Sequence, residues 1–407
     1  MSYVEWLDAQ EGEGTALSAL KATGLPGPRD EYWRYTAGAP FFNSAAVAAQ
    51  GAPLACKMLD TLKGYRISIV DGVIGSDLPQ MSGAQARLVQ AGDVAKWGML
   101  SVAAQTPVAR PAALVTACKV ETGLHIHVTG TLDKPIVIEH SHDDMSSDIA
   151  THIVIEVEKD ASATVIEVGP RSARSLSTVE CFVADGGALD HVDVGSIGSR
   201  RVAHKSVLVR MGEKSRFYST SLAVNSGLTR EEIWVELLGD EAQLSIGGAS
   251  YGLDGDHDDH TVFVIHDAVA CESRQIFKKA LSKGSKGVFQ GKILVKQGAQ
   301  KTDGYQMSQS LLLDDDAEFL AKPELEIYAD DVACSHGSTS GAIDETALFY
   351  LRSRGVPQDA AMQMLTLSFL ADALGEIHNE ELRDALSAEL ADWLAARWAG
   401  GTFNGDA

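Results

Sequence analysis

Short runs of strand-forming residues recur from about residue 112 to residue 295, and this series constrains the fold more than any other feature. Gly, Asp, Ser and Asn separate the runs, and several runs alternate apolar with polar residues, as half-buried strands do. No helix of useful length fits between them, which excludes a βαβ fold, because its parallel strands need crossover helices. The predicted strands are 113–118, 124–128, 135–139, 152–157, 164–168, 177–183, 206–209, 233–238, 261–265 and 288–295.

Two architectures remain open for this series: a β-sandwich or barrel, and a β-solenoid. So many short strands in one unbroken stretch exceed an ordinary sandwich, whereas a solenoid grows by adding coils. No clean repeat period is visible in the sequence, so periodicity favours the solenoid only weakly.

Different patterns flank the β-rich series. Before it, residues 1–50 are alanine-rich with a weak apolar face, and the aromatic and charged run at 30–36 predicts an anchor onto the next layer. Asp71-Gly72 between two apolar runs predicts a hairpin. After it, Asp344 predicts a helix N-cap and apolar stripes at helical spacing follow. We therefore predict a helical or mixed region at 1–110, a β core at 111–341 and a helical region at 342–407.

The charge balance argues against nucleic-acid binding. Lys plus Arg total 34 and Asp plus Glu total 56, for a net charge of −22, which repels phosphate backbones. The best local basic patch, Lys278, Lys279, Lys283 and Lys286, is interpreted as a solvated edge. The acid-rich segment 254–260 lacks the Gly and the final acid of a calcium loop, so it is interpreted as an acidic surface turn.

The cysteines and the apolar runs indicate the compartment. Five cysteines, widely spaced, form neither a disulfide framework nor a CxxC zinc site, and they predict a cytoplasmic protein with reduced thiols. We expect no membrane span and no signal peptide. Histidines are enriched between residues 125 and 152, where they could bind a metal if adjacent strands brought them together, but we do not favour a metal site there. They are His125, His127, His140, His142 and His152.

Residues 325–341, LEIYADDVACSHGSTSG, join the β-rich series to the helical region. Leu325 and Ile327 predict an extended segment that ends at 330–331, and Gly337 begins turn chemistry that should end the strand. Cys334 and His336 stand two apart, so on an extended chain their side chains leave by one face. A thiol and an imidazole on one face of a strand can either bind a soft metal or simply pack against neighbouring residues. Their spacing alone favours the packing role, because a buried Cys usually behaves as a small hydrophobic residue.

Several motifs in order resemble the SufD family, a subunit of the SufBCD iron–sulfur cluster assembly machine. Residues 291–355 contain GKILV, AQKTDGYQ, SLLL, LEIYADDVACSHGSTSG and IDETALFYLRSRG. Upstream, 259–278 carry the ordered HT…H…C·S·Q··K pattern, and 24–36 read GLPGPRDEYWRYT. The sister SufB family reads CEHEAT where this chain has CSHGST, so the resemblance is to SufD. Gly304 departs from the Ala usual in the family.

The resemblance implies a mainly β fold, a right-handed parallel β-helix with N-terminal and C-terminal helical regions, which selects the solenoid. It implies a non-catalytic scaffold that pairs with SufB through its last strands and binds the ATPase SufC through its C-terminal helices. No permanently bound cofactor is expected, although a transient iron–sulfur cluster or iron at the SufB interface would have His336 and Cys334 as candidate ligands. The isolated chain is expected to be able to form a homodimer.

The same resemblance assigns the candidate contacts. The SufB-pairing candidates are Leu325, Ile327, Tyr328, Asp331 and Val332, and the SufC-docking candidates are Asp344, Glu345, Leu348, Phe349, Tyr350, Arg352 and Arg354. Two other functions stay open as alternatives: a β-helix enzyme acting on polysaccharide, for which the acids at 254–259 would line a groove, and a self-standing metal-binding module built on the histidines.

Overall fold

The computed structural model describes residues 15–400 apart from 28, 44–55, 57–61, 91–98, 106, 145, 196–199, 225–226, 376 and 378. The start of the chain, for which no signal peptide is predicted, lies outside the described residues. Among the helices that are described, none is both long and apolar enough to span a membrane.

The body of the molecule is built from strands that follow one another along the chain. In order they are β1 (Tyr65–Val70), β2 (Val73–Ile74), β3 (Ala84–Gln90), β4 (Thr122–Val128), β5 (Ile136–Ser141), β6 (Asp148–Val157), β7 (Ser162–Val168), β8 (Arg174–Val183), β9 (Ala188–Val194), β10 (Arg201–Met211), β11 (Arg216–Val224), β12 (Gly227–Leu237), β13 (Gln243–Gly252), β14 (His257–His266), β15 (Glu272–Leu281), β16 (Lys286–Val295), β17 (Asp303–Leu312), β18 (Glu318–Ile327) and β19 (Ala333–Gly341).

From β4 onward successive strands alternate between two sheets, so the chain winds as a parallel β-helix. Sheet 1 has the order β19-β17-β15-β13-β11-β9-β7-β5-β1-β2, and sheet 2 has the order β18-β16-β14-β12-β10-β8-β6-β4-β3. All neighbours pair in parallel except at one end, where β2 and β3 are antiparallel to β1 and β4. The predicted parallel β-helix is therefore confirmed. So is the hairpin at Asp71-Gly72, where Asp71 has φ 47°.

Apolar side chains from both sheets fill much of the solenoid interior. Because neighbouring coils pair in register, like residues stack: Val209 stands beside Val235, and Val235 beside Val264. All three are fully buried. Each such side chain contributes roughly 1.5–3 kcal/mol of transfer free energy, so the stack as a whole dominates the stability of the fold.

N-terminal segments cover the outer face of sheet 2. Tyr32 and Trp33 are buried: the Tyr32 ring meets Phe263 at 4.8 Å, and the Arg230 guanidinium lies 4.1 Å over the Trp33 ring. The predicted aromatic anchor at 30–36 is thus confirmed. The helices on this side are α1 (Thr15–Thr23), a 3-10 turn (Glu31–Trp33), α2 (Ala39–Phe42), α3 (Met99–Ala103) and α4 (Pro111–Lys119).

The predicted first strand, 113–118, is wrong, because these residues form most of α4. Pro111 occupies the first turn, where its missing N–H costs nothing, and the alanines that follow favour a helix. Packing decides the rest: Leu114 is fully buried in a cluster that also contains Trp33 and Leu176.

C-terminal helices cover the outer face of sheet 1. Asp344 accepts hydrogen bonds from the N–H groups of Thr346 and Ala347 at 2.8 and 3.2 Å, so the predicted N-cap is confirmed. Leu370 and Leu374 pack in one cluster with outward residues of sheet 1 such as Val192. The helices of this region are α5 (Glu345–Ser353), α6 (Gln358–Ala371), a 3-10 turn (Asp372–Leu374) and α7 (Glu380–Gly400).

Two stretches expected at the surface are partly buried. Of the four lysines interpreted as a solvated edge, Lys283 is exposed, but Lys278 and Lys279 are only 7% and 1% exposed. In the supposed acidic turn Asp254 is exposed, but Asp259 is 0% exposed. The reason is that 257–266 and 272–281 are strands of the solenoid, and their charges find partners there: Asp259 meets Arg230, and Lys279 meets Asp258. Charge does not mark exposure in these strands, because opposite charges on neighbouring coils pair inside the fold.

Candidate functional site

Both sheets end at the same side of the molecule with an unpaired edge. Within the part of the chain that the structure describes, β18 pairs only with β16 and β19 pairs only with β17. No residue of either strand is buried, in contrast to the strands before them. A terminal coil of this kind exposes backbone N–H and C=O groups to solvent and is a template for another strand.

Cys334 lies on β19 and turns toward the solenoid interior. Its side chain is half-buried and packs against the apolar cluster that contains Ile293, and burial raises the pKa of its thiol. Cys334 also lines a surface groove together with Arg274, Asp303 and Tyr305. Since the thiolate is the form that binds metals, the raised pKa favours the neutral thiol over the metal-binding form at this position.

His336 lies two residues further along β19 and leaves the strand on the same face as Cys334. It stands in register beside Gln306 of β17, whose buried side chain lies against Gly291 in the opposite sheet. No further coil follows, so His336 is exposed at the opening of the interior. Among the described residues, none forms a hydrogen bond or ion pair with it.

β19 also differs from the sequence prediction. It continues to Gly341 instead of ending at Gly337. Ser338 and Ser340 extend the ladder, with hydroxyl contacts of 3.2 and 3.0 Å to Ser308 and Ser310. Residues typical of turns are held extended in this strand because the neighbouring strand supplies their backbone partners.

The predicted pairing residues are divided between β18 and the turn after it. The extended segment ends at Ile327, so Tyr328, Asp331 and Val332 lie between β18 and β19 and not on a strand. Leu325 packs at the end of the interior, while Ile327 and Tyr328 are 40% and 60% exposed. The Tyr328 hydroxyl donates to Glu326 at 2.5 Å, and Asp331 pairs with Lys301.

The first C-terminal helix follows this end directly and presents unpartnered aromatic surface. None of its residues is buried, and Phe349 and Tyr350 are 73% and 56% exposed. The Arg354 guanidinium lies 5.1 Å over the Tyr350 ring. Leu348 is half-buried, and Asp344, Glu345 and Arg352 are exposed. An exposed aromatic pair beside cations is typical of a protein-binding surface.

The central histidines do not gather into one site. His125, His140 and His152 each contact a different carboxylate, Glu156, Glu167 and Glu180 respectively, at 3.0 to 3.3 Å. Within the described ranges, no group of three or more His, Cys, Asp or Glu side chains is arranged to hold a metal ion. A metal at His336 would therefore need ligands from another molecule.

Comparison with known proteins gives one family. The model of the SUF system FeS cluster assembly SufBD core domain matches residues 139–369, which contain most of the solenoid and the start of the C-terminal helices.

Whole-chain similarity extends further. The chain is 30% identical to the iron–sulfur cluster assembly protein SufD of Escherichia coli strain K12, and the match covers 96% of both chains. It is 24% identical to an iron–sulfur cluster assembly SufBD family protein of Mycobacterium leprae, over 93% of this chain and 95% of that protein. SufD of Bacillus subtilis is 25% identical over 65% of this chain and 62% of its own length.

Proposed function

The chain belongs to the SufBD family of iron–sulfur cluster assembly proteins, and we propose that it serves there as a SufD-type, non-catalytic scaffold. In this proposal it pairs with SufB through its last coil and binds the ATPase SufC through its C-terminal helices. The observation that carries the proposal is the continuity of two surfaces: the unpaired edges of β18 and β19 lead directly into the exposed face of α5.

Edge pairing with a homologue suits the terminal coil. A second solenoid with a similar last coil would supply strands that continue both sheets, and backbone hydrogen bonds would provide most of the contact. The half-exposed Ile327 and Tyr328 would lose solvent-exposed apolar area on pairing. In this arrangement His336 would be enclosed between the two interiors.

Enclosure would give His336 a chemical role. A neutral imidazole binds iron, and a site completed by a partner's ligands could hold iron or a nascent cluster transiently and release it more easily than a closed cage. Cys334 is the weaker ligand because its thiol is half-buried with a raised pKa. The cluster is cargo in this proposal and no resident cofactor is required.

The location proposed is the cytoplasm, because all five cysteines are free thiols, including buried ones such as Cys181 and Cys271. The polysaccharide enzyme is not favoured. Its groove would need exposed acids at 254–259, but Asp258 and Asp259 are buried in ion pairs with Lys279 and Arg230.

The test is co-expression of the tagged chain with SufB and SufC from the same organism, followed by size-exclusion chromatography. We expect one complex containing all three proteins. The variant Ile327→Lys with Tyr328→Lys puts charge on the exposed edge and should lose SufB. Val73→Lys is the matched control, since Val73 is 72% exposed at the opposite end of the solenoid and should retain SufB. If the wild-type chain retains neither partner, the scaffold proposal is wrong.

A further inference from the structure

The solenoid interior is not apolar throughout, because one part of it holds a buried cluster of charges. Glu167 accepts hydrogen bonds from Lys205 at 2.7 Å and from Arg171 at 3.2 Å. Asp193 accepts from the same two cations at 2.6 and 3.0 Å. Although burial alone would raise them, these cations hold the pKa values of Glu167 and Asp193 below their usual range, so both carboxyls are ionised.

A second group of charges further along the interior is balanced. Asp258 pairs with Lys279 and lies 3.3 Å from His260, and Glu231 lies 3.4 Å from His260 on its other side. Burial and Lys279 lower the pKa of His260, but its two carboxylates outweigh them and the net shift is upward. Two anions therefore face two groups that carry or readily accept positive charge.

In the first group, one cation has no carboxylate in contact with it among the described residues, and that cation is Arg201. Its side chain faces the interior with 4% of the residue exposed, and its Nε and Nη1 atoms have no hydrogen-bond partner among the described residues. Burial, followed by repulsion from Arg171, lowers its pKa to about 9, so it still carries a charge at neutral pH. Arg171 and Lys205 have Glu167 and Asp193 in contact, and Glu231 acts on Lys205 from farther away. Arg201 is left with the more distant attraction of Asp193.

A cavity of about 60 Å³ lies at this place, bordered by Arg171, Ser175, Asp193, Arg201 and Lys205, and also by Glu231 and Asp258 of the second group. The unpaired polar atoms on these seven residues are the Arg171 Nε, the Ser175 Oγ and the two Arg201 nitrogens, and all of them can donate. Buried donors without acceptors are costly, and a buried unpaired charge costs more. The missing partner is therefore an acceptor that carries negative charge.

We propose that this cavity binds one small inorganic anion of the size and charge of chloride. A single negative charge gives Arg201 a counterion in contact, whereas a divalent oxyanion would add repulsion against Asp193, Glu231 and Asp258, which also line the cavity. The volume fits, since a water needs about 10–15 Å³ by the same measure and the cavity can hold a halide with a few waters. A halide also accepts several N–H and O–H donors at once without bringing donors of its own.

The direct test is crystallography of the full chain soaked in bromide, with chloride-free buffer throughout. We expect an anomalous bromide peak in contact with Arg201 and Ser175. A cavity filled only by water, with no bromide peak there, would overturn the proposal.

Thermal unfolding in solution provides a second, independent test of the anion site. At constant ionic strength, replacing gluconate by chloride should raise the Tm of the wild type by about 2 °C once chloride reaches about ten times its Kd. Arg201→Met should remove this rise, and Arg216→Met, which changes an exposed arginine of β11, should keep it. If Arg201→Met does not fold, Ser175→Ala takes its place and should weaken the response. An equal chloride response in the wild type and the cavity variant would refute the site.

Discussion

His336 stands beside Gln306 in the ladder between the last two strands of sheet 1, and no strand of the described residues lies on its other side. Gln306 is fully buried by its neighbours, whereas His336 occupies the equivalent position one coil later and is exposed. One more coil would bury His336 as the existing coils bury Gln306. This vacancy is the basis of the first prediction.

His336→Ala should leave the complex with SufB and SufC assembled, because backbone pairing does not depend on this side chain. Cluster formation should fall about tenfold or more, since the loss of a ligand costs at least as much as the loss of a supporting residue. The measurement is the rate of cluster formation in the reconstituted complex, read from the iron–sulfur absorbance.

Two variants on the same strand separate a ligand from a structural residue. Cys334→Ser should lower the rate of cluster formation less than His336→Ala does, because the half-buried Cys334 side chain packs against an apolar cluster. Ser335→Ala, an exposed neighbour on the opposite face, should leave it unchanged. A normal rate in His336→Ala would assign His336 a structural role only.

Phe349→Ala should weaken SufC binding by about 30-fold, the loss expected from truncating an aromatic side chain at the centre of an interface. SufB binding should persist. The measurement is isothermal titration of SufC into the chain, with Met364→Ala of α6, which is 52% exposed, as the control. Unchanged affinity in Phe349→Ala would exclude this face of α5.

This substitution is preferred to a truncation for a structural reason. Deletion of 344–407 is simpler, but the removed helices bury Val192, Val194 and Leu222 on the outer face of sheet 1. The truncated chain would expose a large apolar face, so loss of SufC would not distinguish docking from misfolding.

The isolated chain should form a homodimer in two-fold symmetry through its terminal coil, because an unpaired edge accepts a second copy as readily as a homologue. Light scattering over a concentration series should show the dimer. Addition of SufB should convert it to a heterodimer, and the Ile327→Lys with Tyr328→Lys variant should be monomeric. Only monomer at the highest concentration, for the wild type, would contradict this prediction.

The free energy of unfolding should fall as the pH drops from about 6.5 to 4, in part because of His266. Burial lowers the pKa of this histidine to about 4. Between pH 6.5 and 4 the unfolded chain therefore binds a proton at this position and the folded chain does not, which favours unfolding. The contribution is at most about 3 kcal/mol.

Urea titrations at several pH values measure this contribution. His266→Gln should flatten the pH dependence between 4 and 6.5, because it removes the titrating group while the amide can still contact the Ser273 hydroxyl, 2.9 Å from His266 Nε2. Identical profiles for His266→Gln and wild type would disprove the assignment.

The strands that the sequence predicts belong mostly to one sheet. From 124–128 to 288–295, most of the predicted Val- and Ile-rich runs are strands of sheet 2, namely β4, β6, β8, β10, β12, β14 and β16. The exceptions are 135–139 and 164–168, which lie in β5 and β7 of sheet 1. The sequence does not reveal β9, β11, β13, β15 and β17 of sheet 1. Their inward positions carry polar side chains such as His191, Ser219 and Lys279, which resemble loop residues until their buried partners are known.

The candidate site was predictable in its local geometry and not in its context. The spacing of Cys334 and His336 correctly indicates a shared face, because that depends only on strand alternation. The extension of β19 to Gly341 depends on β17 as a neighbour, and β17 itself has no clear signal in the sequence. The cation without a carboxylate at Arg201 is likewise visible only when three separate strands and a loop are brought together.

The two ends of the solenoid have different consequences for growth. At one end β2 and β3 reverse direction, so they cannot be read as the start of another parallel coil. At the other end both strands run on in the common direction with nothing beyond them among the described residues. A second copy can continue both parallel sheets only at this side, and two copies that meet there leave neither parallel edge free. Growth from a pair into a fibre would have to use the antiparallel edges of β2 and β3 at the other end, which cannot continue the parallel coil.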